Sequence, residues 1–489
     1  MESTSPDIAQ SAPDAAEPLH TGAPHTEPLP AEAPVERRRR FVRGALVVAL
    51  TWMLVLPLIY GQTQASMAVF GLDLNDSYEK WANRIKGSDC GSYLAAGLGF
   101  AEGQGIAIRT EVDGRAVYSP FLYQVPGAPF AIGEMIVLCG PQHVWPYFFA
   151  ASLIHLLTAL GVMWLALPFT RRTGTLAGVG LLSLLCPPII RLEFGWMLCG
   201  SEVLAHLPLL LALIALQSWW LRGRDSWRAT VLCAIATGGC LALATYARGI
   251  YDTFGMFVAL CVVVISLRGR WWKQAIVFAL VGIVVLKAAL LPWELRNKPL
   301  AGEACMCSSQ LHACGLWLGM WSDWRVSEQY FGPEGCVGWG DYLDHSMSEG
   351  LYKEINANPA KGSAKAAQVF VQEVLEHPLK AAWFKLKGYD TLWIGTRGET
   401  LTRIFCSASL LVFLIFLAKN WRGMSPALWM FPLFMLVLSA IVQHEPRLTY
   451  PLYLLSTPIA FGVLWEQHRD KRKTLLAWRE GPAEEGAAT

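Results

Sequence analysis

Apolar residues along this chain fall into long blocks that short polar or basic segments separate. A membrane-spanning helix needs about 20 mostly apolar residues, because lipid cannot hydrogen-bond to open backbone groups. The blocks therefore predict an all-α polytopic membrane protein, with amphipathic helices in its outer loops. The ten predicted spans are 44–62, 146–168, 174–191, 203–221, 228–247, 251–267, 274–292, 401–418, 425–442 and 449–465.

One further apolar run, 121–138, decides the topology of the chain. Two prolines, two glycines and Glu134 interrupt this run. If it does not cross, all basic clusters between the spans fall on one side, as Lys and Arg do in cytoplasmic loops. We therefore predict a re-entrant or interfacial helix at the outer face, and cytoplasmic termini. The clusters are 37–43, 171–172, 222–228, 268–273, 419–422 and 468–473.

The predicted crossings divide the chain into five parts. Residues 1–36 are rich in Pro, Ala and acidic side chains and contain no Lys or Arg, which predicts a disordered cytoplasmic tail. A long outer loop, 63–145, follows the first span. The remaining parts are a membrane module at 37–292 that includes this loop, a second outer region at 293–400, C-terminal spans at 401–467 and a cytoplasmic tail at 468–489.

The composition excludes several classes of protein. Hydrophobic residues make up 54% of the chain and charged residues 16%, whereas soluble domains carry about 25% charged residues. A soluble enzyme is therefore excluded, and so is disorder over most of the chain. The net charge of +2 gives no electrostatic basis for binding nucleic acid. The predicted location is the cell (inner) membrane.

Four cysteines cluster in the second outer region, at Cys305, Cys307, Cys314 and Cys336. Exported loops can keep disulfides, although the sequence does not give their pairing. A metal site is the weaker interpretation, because no two of these cysteines have C-x2-C spacing and His312 is the only close imidazole.

In the first outer loop, Asp89 begins the segment DCGSYLAAGLGFAEGQG, which predicts a short helix that ends at glycines. Tyr93, Ala96 and Phe100 recur at spacings of three and four, so one face is apolar. We expect this helix to lie along the membrane surface. Asp89 has two interpretations, a cap at the helix N-terminus or a catalytic carboxylate.

Four cations lie at the outer ends of predicted spans, where basic residues should be rare. Lys287 is the sharpest case, because an ionisable group within a span is costly and usually functional. The alternative for each cation is a side chain that reaches the lipid head groups. Together they predict an anion site. The set is Arg248, Lys287, Arg296 and Arg447, with Glu202, Tyr93 and Tyr450 as further substrate-site candidates.

A carboxylate facing cations at the membrane edge suits one class of reaction, the transfer of a sugar from a lipid phosphate. The carboxylate takes the proton of an acceptor hydroxyl. The cations stabilise the charge that grows on the departing phosphate. A single carboxylate without a partner nucleophile predicts direct displacement, with inversion at the sugar carbon.

The chain resembles the GT-C membrane glycosyltransferases over about 44–465, in the branch that contains protein O-mannosyltransferases and the aminoarabinose transferase. Asp89, Cys90 and Tyr93 are similar to the Asp-Glu-x-x-Tyr motif of that branch, whose Asp is the catalytic base. Further likenesses are YSPFLYQVPGAPFAIG (118–133), Glu202, Arg248, PWELRN (292–297), EHPLKAAWFKLKGYDTLW (376–393), Arg447, Pro451 and Pro458.

This resemblance implies a polyprenyl-phosphate sugar as donor and an extracytoplasmic glycan, lipid or protein as acceptor. One departure is Cys90, which replaces the usual acidic partner of the base. It argues against a metal bridge at this pair, and it leaves room for Asp73 or Asp76 to serve instead. The sequence indicates no cofactor, and it leaves a divalent metal open as an alternative. Some relatives have more spans, so up to thirteen are expected if 293–400 hides others.

Two rival interpretations remain open. A transporter or flippase of a lipid-linked sugar would use the same cations for the same phosphate. It should show inverted repeats and interrupted helices, and it would not need a carboxylate on an outer helix. A membrane scaffold without a site would make Lys287 and the ordered motifs accidental.

Overall fold

The structure, a computed structural model, is built mainly from helices. It describes residues 34–86, 89–122, 124–190, 194, 198–267, 271–301, 304–307, 368, 371–372, 375–379, 400–420, 425–439 and 452–480. The elements are α1 (Pro34–Ala68), α2 (Tyr78–Arg84), α3 (Asp89–Ala101), β1 (Ala107–Val112), β2 (Arg115–Pro120), α4 (Gly127–Cys139), α5 (Trp145–Ala166), α6 (Thr173–Leu184), α7 (Pro187–Ile189), α8 (Glu202–Ser218), α9 (Trp227–Ala247), α10 (Ile250–Ser266), α11 (Trp272–Ala301), α12 (Thr400–Asn420), α13 (Pro426–Ser439) and α14 (Thr457–Glu480).

Helical segments occur within all ten predicted blocks. Within the described part of the chain, five are long and apolar enough to cross a membrane: Pro34–Ala68, Trp145–Phe169, Glu202–Gly223, Trp227–Ala247 and Trp272–Leu300. The class, a helical membrane protein, is therefore confirmed. The prediction of ten crossings stays a prediction, since the other apolar helices are shorter.

Two helices extend beyond the predicted limits of their spans. The seventh span was predicted to end at Pro292, but α11 continues through Pro292 and Pro299 to Ala301. A proline inside a helix removes one backbone hydrogen bond, and side-chain contacts described below hold this part of α11. α1 begins at Pro34, so the last residues of the predicted tail are helical.

The long helices pack side by side through small residues. α9 contacts α8 and α11, α5 contacts α6 and α8, and α6 also contacts α1 and α14. A Cβ atom at Gly238 of α9 would lie 2.4 Å from the carbonyl oxygen of Gly282 in α11. Glycine therefore lets these two backbones touch, as is common between membrane helices.

Basic segments gather at one end of this bundle, which we call the basic end. Arg172 Nη2, before α6, lies 2.7 Å from Asp470 Oδ1 in α14. Gln217 Nε2, near the end of α8, donates to the Leu165 carbonyl oxygen near the end of α5 at 2.8 Å. These contacts bring 171–172, 222–228 and 468–473 to the same end. Which face of the membrane this end occupies stays a prediction.

The segment between α1 and α5 folds onto the opposite end of the bundle. The predicted helices at Asp89 and within 121–138 are present as α3 and α4, and they pack against each other. Tyr93 and Ala96 are 2% and 0% exposed. The apolar face of α3 therefore does not face lipid, because α4 covers it within the protein. The expectation that α3 lies along the membrane surface stays a prediction.

The structure contains a β-hairpin between α3 and α4, in a loop for which the sequence predicted only helices. β1 and β2 pair antiparallel, and Val112 faces Arg115 across the turn. Asp113 and Gly114 both have positive φ, 51° and 72°. An Asp-Gly pair between strand-like segments is typical of such a two-residue turn. The sequence VDGR therefore carried a signal for the hairpin.

Candidate active site

Asp89 is the first residue of α3 and is half-buried. The side-chain amide of Gln124, which lies just before α4, is 3.5 Å from Asp89 Oδ1. Cys90, the next residue, is buried. The fold therefore places the candidate carboxylate where α3 begins and the segment entering α4 passes it.

Tyr93 lies one helical turn after Asp89 and links it to other elements. Burial raises the pKa of the Tyr93 phenol above its ordinary value, the Asp89 carboxylate raises it further, and Arg248 lowers it. Glu202 also raises this pKa, and a side-chain hydrogen bond joins the phenol to Ser201. Tyr93 is therefore neutral at pH 7 and serves as a hydrogen-bonding group.

Glu202 and Arg248 form a partly buried ion pair between two helices. Glu202 begins α8, and its side chain is 5% exposed. Arg248 follows α9, its backbone N–H donates to the Ala244 carbonyl oxygen, and its Nη1 donates to Glu202 Oε1. The end of α9 is thereby tied to the start of α8. Arg248 therefore does not reach outwards to lipid.

Lys287 is held by a second carboxylate, Asp252, which we had not predicted as a site residue. Lys287 Nζ in α11 lies 2.6 Å from Asp252 Oδ2 in the first turn of α10. Asp252 Oδ1 is buried and has no hydrogen-bond partner among the described residues. Since Asp252 follows Arg248 by four residues, both ion pairs lie close to the connection from α9 to α10.

Gly127 fixes the position of α4 against this region. A Cβ atom at Gly127 would lie 2.5 Å from the Tyr246 carbonyl oxygen and 2.8 Å from the Ala247 nitrogen. Only glycine permits this approach, because both atoms belong to the backbone of α9. The start of α4 therefore touches the residues that immediately precede Arg248.

Arg296, a predicted phosphate ligand, contacts the hairpin. Its Nη1 donates to the Phe121 carbonyl oxygen at 3.0 Å, and its Nη2 donates to the Ile106 carbonyl oxygen at 3.1 Å. Its guanidinium also stacks on Trp293, 4.5 Å from the ring centroid. These contacts fasten both ends of the hairpin to α11. A phosphate-binding role for Arg296 stays a prediction.

Asn297 and Trp293 bind the chain that leaves α11. Asn297 Nδ2 donates to the carbonyl oxygens of Cys305 and Met306, at 2.9 and 3.0 Å. Trp293 Nε1 donates to the same Met306 oxygen at 2.7 Å. The PWELRN segment, residues 292–297, is therefore an anchor for two separate stretches of the chain.

Asp73 and Asp76 shape the loop that enters α2. Asp73 Oδ1 accepts the Asn75 backbone N–H at 2.7 Å, and this bond is the main reason that the pKa of Asp73 is lowered. Asp76 Oδ2 accepts the Asp73 N–H at 2.8 Å, and its Oδ1 pairs with Lys80 at 2.8 Å. These contacts give both acids a structural role. Their role at the substrate stays a prediction.

Several predicted residues lie outside the described residues, so their calls stay predictions. They are Arg447, Tyr450, Cys314 and Cys336. Cys305 and Cys307 are buried, and their pairing is equally untested. Within the described ranges, no group of three His, Cys, Asp or Glu side chains is arranged to hold a metal ion.

No protein family model matches this sequence, and no curated protein is significantly similar to it. The likeness to the GT-C glycosyltransferases therefore rests on the motifs in the sequence, and it stays a prediction.

Three polar residues of this region were missed from the sequence: Gln124, Ser201 and Asp252. Each had a visible signal. Gln124 is a polar residue in an apolar run, Ser201 directly precedes the predicted acid Glu202, and Asp252 is an acid one helical turn after Arg248. Pairs across helices are not readable from such local signals, because they depend on how the helices pack.

Proposed function

We propose that this chain is an integral-membrane glycosyltransferase. It moves a sugar from a polyprenyl-phosphate donor to the hydroxyl of an acceptor outside the cytoplasm, in the cell envelope. The observation that carries this proposal is the convergence of Asp89, Tyr93, Ser201, Glu202 and Arg248 at one end of an apolar helix bundle. The resemblance to the GT-C branch supports the same conclusion. In this proposal both termini are cytoplasmic.

Asp89 is the general base. Its carboxylate takes the proton of the acceptor hydroxyl, and the freed oxygen attacks the anomeric carbon of the sugar. The bond between that carbon and the phosphate oxygen breaks, and the lipid phosphate leaves with the electron pair. The configuration inverts, because the attack and the departure occur on opposite faces. The Gln124 amide near Asp89 Oδ1 orients the carboxylate.

Arg248 and Lys287 hold the donor phosphate. Each cation is already positioned by a carboxylate, Glu202 or Asp252. Positioned cations stabilise developing charge without reorganising during the reaction. The half-exposed Lys287, at 43%, is the more accessible of the two, whereas the Arg248 side chain is 19% exposed. Lys287 therefore makes the first contact with the phosphate.

Transfer by the purified full-length protein tests this proposal. The protein would be placed in lipid vesicles with polyprenyl-phosphate sugars that are radiolabelled in the sugar, and with an envelope extract as acceptor. We expect Asp89→Asn to reduce transfer by about 10²–10⁴-fold, the usual contribution of general base catalysis. The matched control is Asp113→Asn, which makes the same change at the exposed hairpin turn and should leave transfer unchanged.

Two results would overturn the proposal. Full transfer by Asp89→Asn would remove Asp89 as the base. Movement of the labelled lipid across the vesicle membrane without transfer to any acceptor would favour the transporter. The thermal unfolding of each variant would be measured in parallel, so that misfolding is not read as a loss of catalysis.

A further inference from the structure

A groove lies at the basic end of the bundle, between α6 and α14 and away from the candidate active site. Its volume is about 260 Å³. Its walls include Arg172 and Arg469, Phe461 and Trp465, and Gly174, Gly178 and Gly462. The groove therefore combines two cations, two aromatic rings and three glycines, and no part of the proposed function uses it.

The aromatic wall is exposed rather than packed in the core. Phe461 and Trp465 lie one turn apart on α14 and stack with their ring centroids 6.3 Å apart and their planes 12° apart. They are 44% and 51% exposed. Both rings belong to the apolar first half of α14, 457–465, which precedes its charged second half. Exposed rings at such a boundary can meet acyl chains, and Trp is enriched at the membrane interface. This wall is therefore a surface for lipid.

Two of these glycines leave an open strip on α6. A Cβ atom at Gly174 or at Gly178 would meet nothing within 4 Å. The two residues are four apart, so they lie on the same face of the helix. A ligand can therefore approach the backbone of α6 beside the aromatic wall.

Arg172 and Arg469 both have guanidinium N–H groups without a hydrogen-bond partner among the described residues. Arg172 Nη2 pairs with Asp470, but Arg172 Nη1 is buried and has no hydrogen-bond partner among the described residues. Glu466 accepts the backbone N–H groups of Arg171 and Arg172 at 2.7 and 2.9 Å. Arg469 is exposed and has no carboxylate within 4.0 Å in the described part of the chain. The groove thus offers donors to an anion.

We propose that this groove binds an anionic phospholipid. The phosphate diester accepts hydrogen bonds from Arg172 and Arg469, and an acyl chain runs over the glycine strip against the two rings. Basic pockets between membrane helices bind such head groups. The groove is smaller than the roughly 300–1,000 Å³ of a pocket that encloses a drug-sized ligand. It therefore holds the head group and glycerol, while the tails extend along α14.

Native mass spectrometry of the delipidated full-length protein tests the proposal. Phosphatidylglycerol and phosphatidylcholine with identical acyl chains would be added separately, and bound lipid counted. We expect one retained phosphatidylglycerol, and a roughly five-fold weaker affinity for it in Arg469→Gln, as for one basic residue at a lipid surface. Gly178→Leu should fill the strip and abolish retention. Gly239→Leu is its control, since Gly239 also meets nothing within 4 Å but lies in α9.

Several outcomes would overturn the proposal. Equal retention of phosphatidylcholine would remove the selection for an anion. Displacement of the lipid by millimolar inorganic phosphate would show that the groove recognises phosphate rather than a lipid. Unchanged retention in both Arg469→Gln and Gly178→Leu, or equal loss in Gly239→Leu, would show that the lipid binds elsewhere.

Discussion

The carboxylates at the two ends of the bundle make different contacts. At the basic end they accept backbone N–H groups or pair with a partly exposed arginine, whereas near the candidate active site they form ion pairs between helices. Glu466 accepts two backbone N–H groups, and the Arg172–Asp470 pair has side chains 27% and 49% exposed. Glu202 is 5% exposed against Arg248. Burying an ion pair rarely adds stability over an apolar pair, and it is costly to break. The comparison therefore indicates that Glu202 and Arg248 are kept for their position.

The largest expected difference between the two ends concerns these ion pairs. Glu202→Gln removes the carboxylate that pairs with the partly buried Arg248 charge, which should lower the free energy of unfolding by about 3–5 kcal/mol. Asp470→Asn breaks an exposed pair, so its loss should be about 0–1 kcal/mol. Denaturant unfolding in detergent measures both losses.

The double variant Glu202→Gln with Arg248→Met distinguishes two costs, the loss of the ion pair itself and the burial of a charge that has lost its carboxylate. It should recover most of the stability, because no unpaired charge remains. Equal losses in Glu202→Gln and Asp470→Asn would contradict the distinction between the ends.

The next largest effect concerns the contact between α4 and α9. Gly127→Ala would force a methyl group against the Tyr246 carbonyl oxygen, so α4 must shift. We expect a loss of about 1–3 kcal/mol, as in other overpacked sites, together with reduced transfer. Thermal unfolding and the transfer assay measure the two effects.

Gly61→Ala in α1 is the control for this change, because a Cβ atom there meets nothing within 4 Å. Alanine in place of glycine within a helix should be neutral or stabilising by about 0.5–1 kcal/mol. A stable and active Gly127→Ala protein would show that α4 does not position the site.

The smallest expected effect concerns the competition for Lys287. Under the proposed function, Asp252 positions Lys287 but also competes with the donor phosphate for its charge. We expect the competition to dominate, so Asp252→Asn should lower the KM for the donor. The pair is partly exposed and is worth about 0–1 kcal/mol, which corresponds to at most about five-fold. Steady-state transfer at varied donor concentration measures the change.

The opposite change, Lys287→Gln, should raise the same KM. The control for Asp252→Asn is Asp225→Asn, which makes the same change at the basic end. Asp225 accepts the Trp271 indole N–H there, and its substitution should leave the KM unchanged. A lower KM in Asp225→Asn as well would mean that the effect comes from the net charge of the protein.

Periodicity and apolar length predicted the helices well, whereas the assignment of the four cations to a phosphate site stays a prediction. The partners of those cations were not predictable. Glu202 and Arg248 are 46 residues apart, and Asp252 and Lys287 are 35 apart. Such pairs form only once α8, α9, α10 and α11 pack together. The hairpin contacts of Arg296 were unpredictable for the same reason, because nothing local to PWELRN shows that the hairpin ends reach its guanidinium.

The anchor at 292–297 also has a mechanical consequence. Arg296 donates hydrogen bonds to the residues at both ends of the hairpin, while Asn297 and Trp293 donate to the chain just beyond α11. All three side chains belong to a little more than one turn of the same helix. The hairpin and the residues after α11 are therefore linked to each other through that one turn of helix. A rotation of the part of α11 beyond Pro292 would therefore displace the hairpin and residues 305–306 together.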